Sequence, residues 1–153
     1  MIRLYVGLLL CVLFVLPARA QKGVAVPLTA ITDSIAAYDN VWAEQLSTLG
    51  NTTKDYTLLK PARLRMEAYI DNTLAAIKKQ KDAKASADLH AAVVAYLQYK
   101  KNLVSKRYAA FEELTPQSTE PEIKKCVDKL LDDTQEEDDY KKMISALAAI
   151  AGE

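Results

Sequence analysis

Apolar residues in this chain follow two patterns: one unbroken run near the start, then stripes at intervals of three, four and seven. The run, Leu4–Leu16, is 13 residues long, follows Arg3 and stops at Pro17. Ala18-Arg19-Ala20 then supplies a small-x-small step. Positive start, short apolar segment and small-residue site predict a secretory signal peptide over residues 1–20, with a mature chain starting at Gln21. The run is too short to span a bilayer, which takes about 20 residues. Cys11 lies inside the run behind the large residue Leu10, which argues against a lipidated cysteine.

Beyond the leader the spacing predicts four amphipathic helices. The first covers Pro27 to Leu49, with Leu28, Ile31, Ile35, Tyr38, Trp42 and Leu49 on one face and Gly50 as the left-handed residue after it. The second covers Pro61 to Lys81, with a start as early as Tyr56 also compatible. Its stripe is Ala62, Met66, Tyr69, Thr73 and Ile77, flanked by Ile70 and Leu74, and Lys78, Lys79 and Lys81 suit its negative C-terminal end. The third covers Ala85 to Leu114, with Leu89, Val93, Tyr96, Leu103, Phe111 and Leu114 inward and Pro116 as its stop. The fourth begins in the capping sequence Ser118-Thr119-Glu120-Pro121 and carries Ile123, Cys126, Leu130, Tyr140, Ile144 and Leu147. Asp132 to Asp139, with six acids in eight positions, interrupts this stripe as a kink or a turn between two shorter helices. Short connections between long helices favour antiparallel neighbours. The expected architecture is therefore an all-α, antiparallel up-down-up-down four-helix bundle, one domain over residues 21–153.

Composition narrows the function classes. Loss of the leader removes Arg3 and Arg19 from 20 bases and 20 acids, leaving a net charge of −2. Such a chain has no electrostatic case for nucleic-acid binding. Cys126 is the one cysteine after the leader, so no internal disulfide is available and packing alone must hold the fold.

Few residues suggest catalysis or a cofactor. A di-metal carboxylate bundle needs two Glu-x-x-His pairs. This chain has one histidine, His90, with alanine three positions before it. Covalent-haem and zinc-protease motifs are missing. Met66 and Met143 are the possible partners of His90 around a haem, but His90 follows the inward Leu89 by one position and points sideways. Cys126 belongs near Arg107, far from His90, which argues against a Cys-His pair. Asp132, Thr134, Glu136 and Asp138 alternate like calcium ligands, yet Glu137 stands where an EF-hand needs glycine and Met143 where it needs glutamate. The stretch reads as a solvated acidic face. No cofactor or metal is called for. Asn51-Thr52-Thr53 is a glycosylation sequon in the first predicted loop.

With loops centred near residues 54, 82 and 116, the middle of the bundle collects aromatic rings. Tyr38 falls level with Tyr69, Tyr69 with Tyr96, and Tyr96 with Glu137; Trp42, Met66, Tyr99 or Lys100, and Asp133 form the next layer, where Lys100 can neutralise Asp133. This layer reads either as a satisfied polar network that sets helix register, or as a ligand site lined by Tyr38, Trp42, Tyr69, Tyr96 and Glu137.

The functional expectation is an exported, periplasmic or extracellular bundle of non-enzymatic binding or surface-association type. The basic stretch Lys78 to Lys84 and the acidic stretch Asp132 to Asp139 are its candidate contact surfaces for a protein or small-molecule partner. A small-molecule or haem carrier using the tyrosine layer is the second reading, and an enzyme of unrecognised type the third.

Overall fold

The computed structural model describes residues 28–79 and 87–152, and these are helical throughout apart from short turns, with no strand among them. The leader, Gln21, Pro27, the helix start at Ala85 and the lysines from Lys81 to Lys84 lie outside the described residues.

Four helical rods pack around one core. The first is α1, Leu28–Asn51. A 3-10 turn, Tyr56–Leu59, leads into α2, Lys60–Lys79. The third rod is α3, Ala87–Leu103, which continues through a wide π turn, Val104–Tyr108, into a last short piece, Ala109–Phe111. The fourth is divided into α4, Glu120–Asp132, and α5, Thr134–Ala151.

Local chemistry explains most boundaries. Asp55 accepts from the Thr57 backbone N–H and starts the 3-10 turn. At α4 the Thr119 backbone N–H and hydroxyl both donate to Glu122 Oε2, at 2.7 and 2.9 Å. A capping residue of this type is typically worth about 1 kcal/mol. One boundary differs from expectation. Gly50 stays helical inside α1, and Lys54 instead takes the positive φ of 53°. The Lys54 N–H reaches back to the Leu49 carbonyl at 2.9 Å and closes the turn there. A Cβ at Gly50 would meet the Tyr56 hydroxyl at 3.5 Å, an ordinary contact. At the acidic stretch the helix divides at Asp133, whose φ of −86° and ψ of −9° remain right-handed. The junction is a one-residue turn, with the Glu137 N–H still donating to the Asp133 carbonyl at 3.3 Å.

The core is the set of stripes turned inward. Ile31, Ile35 and Trp42 of α1 meet Met66 and Ile70 of α2, Leu89, Val93 and Leu97 of α3, and Ile144 of α5, all buried. α4 contributes only half-buried side chains, among them Ile123, Val127 and Leu130. Contacts give the directions of the rods. Lys100 meets Glu137 and Arg107 meets Asp133, so α3 and α5 run antiparallel. Arg63 meets Glu112 and Asp71 meets Lys101, so α2 and the third rod are antiparallel too.

The π turn is the feature that periodicity does not show. On an α-helix, eight residues would carry Tyr108 about 80° round from Lys100. The wide turn absorbs about one residue of rotation, with the Ala109 N–H donating five positions back to Val104, and both Lys100 and Tyr108 end up buried. Deletion of the exposed Ser105 should convert the segment to regular α-helix at a cost below about 2 kcal/mol, because both flanks keep their inward faces. Chemical denaturation of that variant checks this. A loss as large as that of a core truncation would show that the π turn is required in itself.

Candidate functional site

The interior of the third rod carries a lysine. Lys100 has no exposure to solvent. A buried ammonium is tolerable only when paired and hydrogen-bonded. Here Nζ lies 2.8 Å from Asp39 Oδ2 of α1 and 2.8 Å from Glu137 Oε2 of α5, so one cation ties three rods together. The remaining carboxylate oxygens are also occupied. Tyr108 donates to Asp39 Oδ1 at 2.6 Å, while Tyr96 at 3.4 Å and the Lys141 ammonium at 2.8 Å both meet Glu137 Oε1. Burial pushes the Glu137 carboxyl up, but the neighbouring Lys100 and Lys141 outweigh it and hold the group below its ordinary range. Burial, then the adjacent carboxylates, push the Tyr96 and Tyr108 phenols well above theirs. Both remain neutral donors across the physiological range.

The five residues expected to share a mid-bundle site are divided among three contacts. Tyr38 and Tyr69 form a half-buried pair with ring centroids 5.1 Å apart. Trp42 stacks on Tyr108 at 4.0 Å and meets Phe111 edge-on at 5.3 Å. Tyr96 and Glu137 belong to the Lys100 layer. Lys100 pairs with Glu137 and Asp39, not with Asp133 as expected. Asp133 lies one turn nearer the start of the fourth rod and accepts from Arg107 Nε at 2.8 Å. Periodicity missed Asp39, Tyr108 and the Arg63 cluster, in which a buried guanidinium binds Glu112 and lies 2.8 Å from Glu67. A polar residue at an inward heptad position was the available signal for Lys100 and Arg63.

Other candidates fall elsewhere. His90 Nε2 lies 3.3 Å from the Ile77 carbonyl. Met66 is buried in the core, whereas Met143 is exposed. Cys126 is half-buried with Sγ 4.0 Å from the Ala110 carbonyl. Asn51 of the sequon is exposed at the end of α1. Lys78 and Lys79 are exposed at the end of α2. Among the described residues no three His, Cys, Asp or Glu side chains converge as metal ligands. No described helix is long and apolar enough to cross a membrane.

One turn outward from the tyrosine layer, the surface opens into a groove of about 420 Å³ between α3, the π turn and α5. Gln98, Asn102 and Lys106 form its outer row, four residues apart; Tyr99, Leu103 and Arg107 form the row beside them; Asp133, Glu136 and Tyr140 form the facing wall. The Tyr99 and Tyr140 rings lie 5.2 Å apart at 34°, and the Tyr99 hydroxyl donates to the Asp133 carbonyl at 2.6 Å. Burial, then nearby carboxylates, push the Tyr99 phenol up as well. The π turn helps present Lys106 and Arg107 here. A second groove, about 530 Å³, runs between α1 and α2 beside the exposed Val41 and Leu58.

Comparison with family models, with curated proteins and with solved structures found no match to this chain.

Proposed function

We propose that this chain is an exported, non-enzymatic binding protein, an up-down-up-down four-helix bundle freed of residues 1–20, which engages a partner or small molecule through the groove between α3 and α5. One contrast carries this reading. The interior ionisable groups are spent on one another, with Lys100 bonded to Asp39 and Glu137, whereas the side chains of Gln98, Asn102, Lys106 and Glu136 around the groove make no hydrogen bond or ion pair among the described residues. Polar side chains converging beside an aromatic wall suit the orientation of a small ligand. The acidic stretch thereby gains a second role, since Asp133 and Glu136 form one wall of the groove.

The interior-carrier reading, with a small molecule or haem among Tyr38, Trp42, Tyr69, Tyr96 and Glu137, has less in its favour because Lys100 occupies the centre of that layer. Protein recovered from cells expressing the full chain should have the mass of residues 21–153. On exposure to the contents of its own compartment, it should gain hydrogen-exchange protection at residues 98–107 and 133–140. An uncleaved mass would remove the export part of the proposal. Protection centred on Tyr96 and Tyr69 would favour the interior carrier.

A further inference from the structure

We infer that the groove binds a small zwitterion, an amino acid or a short peptide with free termini; this rests on the binding role proposed above and specifies its ligand. The argument begins with charge. Four charged side chains line the groove. Arg107 and Asp133 neutralise each other through the 2.8 Å contact of Nε with Oδ2. What remains is one cation, Lys106, and one anion, Glu136, both exposed and neither in an ion pair or side-chain hydrogen bond among the described residues. A ligand bearing a single charge would satisfy one of these and repel the other. An uncharged apolar ligand would strip water from both without replacing it. A ligand carrying both signs complements both side chains at once.

The register places those charges at a useful spacing. The Lys100–Glu137 and Arg107–Asp133 pairs align α3 with α5, and Lys106 then stands offset from Glu136 along the same interface. At about 1.5 Å of rise per residue their backbone positions are offset along the axis by roughly 3–8 Å, a length that an amino acid or dipeptide can bridge between two flexible side chains. In this orientation the ligand carboxylate meets Lys106 and the unbonded Nη atoms of Arg107, and its ammonium meets Glu136. Gln98 and Asn102 offer amide donors and acceptors for a peptide group. The Tyr99 and Tyr140 rings receive the side chain, edge or face, above the buried Leu103. The volume of about 420 Å³ sits within the range of small-molecule sites and excludes long peptides.

The test uses protein purified from cells expressing the full chain. A pool of the twenty amino acids and a pool of dipeptides are screened by thermal shift, and responding compounds are titrated by calorimetry beside their N-acetylated and methyl-ester forms. Each capped form is expected to bind at least about tenfold more weakly than the free zwitterion. Lys106→Met should abolish discrimination against the methyl ester, and Glu136→Gln discrimination against the N-acetyl form. Neither variant should shift the melting temperature of the unliganded protein, because both side chains lie at the surface without partners among the described residues. No response from either pool at roughly 10 mM, capped forms that bind as tightly as free ones, or unaltered binding by both variants would each overturn the inference. Protection of the groove by a ligand without free termini would also overturn it, while leaving the binding role itself intact.

Discussion

Lys100→Met should destabilise the fold by about 3–5 kcal/mol at neutral pH, among the largest effects expected of a single substitution in this chain. The variant keeps much of the side-chain volume, so the loss is electrostatic. Without Nζ, Asp39 keeps only the Tyr108 hydroxyl and Glu137 only Tyr96 and the outlying Lys141, so two anions with side chains 22% and 12% exposed face each other with their shared cation gone. For a chain of this length the loss corresponds to a melting temperature lower by roughly 10–20 °C. The pH dependence separates this cause from lost packing. In the native protein the Glu137 carboxyl sits below its ordinary range, so its contribution is complete above an unfolded carboxyl value of about 4.3 and is lost as pH falls through the lower folded value. In the variant, protonation of Glu137 relieves a penalty instead. The gap between the two proteins should therefore narrow as pH drops below about 4.5. Lys100→Met combined with Asp39→Asn and Glu137→Gln should recover a large part of the loss at neutral pH. Urea unfolding at neutral and acid pH measures all of this, and a neutral-pH loss under about 1 kcal/mol would show that water reaches the layer.

Trp42→Ala should cost about 3–5 kcal/mol, whereas Trp42→Phe should cost much less. Trp42 is 2% exposed and joins α1 to the third rod by stacking on Tyr108 and meeting Phe111 edge-on. Truncation leaves a cavity between two rigid helices that can collapse only in part, and removes both aromatic contacts. The indole Nε1 is buried and has no hydrogen-bond partner among the described residues. Phenylalanine therefore forfeits ring area but no hydrogen bond, and even removes a desolvated donor. Denaturant titrations followed by circular dichroism supply the comparison, since the sole tryptophan is the residue being changed. Equal losses from both substitutions would mean that the indole nitrogen is bonded after all.

The helical pattern was legible because it depends on neighbours in the chain. Leu28, Ile31, Ile35 and Trp42 on α1, and Met66, Ile70 and Ile77 on α2, repeat at helical spacing and are buried together. The acidic interruption at Asp132 to Asp139 likewise marks the division between α4 and α5. The candidate site was less legible. Tyr96 and Glu137 do meet, because both sit near the middle of long rods, where small errors in loop centre matter least. Trp42, by contrast, meets Tyr108 rather than the tyrosine layer, since the π turn changes which face of the third rod points inward. Gln98, Asn102 and Lys106 belong to no stripe or motif in the sequence, and the groove they line exists only through the wall opposite them.

By itself, then, the amino-acid order determined that this chain forms amphipathic helices, where most begin and end, and which stripes are greasy. These outcomes follow from periodicity, caps and breakers acting over a few residues. Tertiary structure alone decided which carboxylates share Lys100, that the third rod widens at Val104–Tyr108, and that Lys106 and Glu136 face one groove. Those choices turn on the axial offset and rotation of one rod against another. A shift of one residue turns a helical side chain by about 100°, enough to exchange one partner for another without altering the stripe from which it projects.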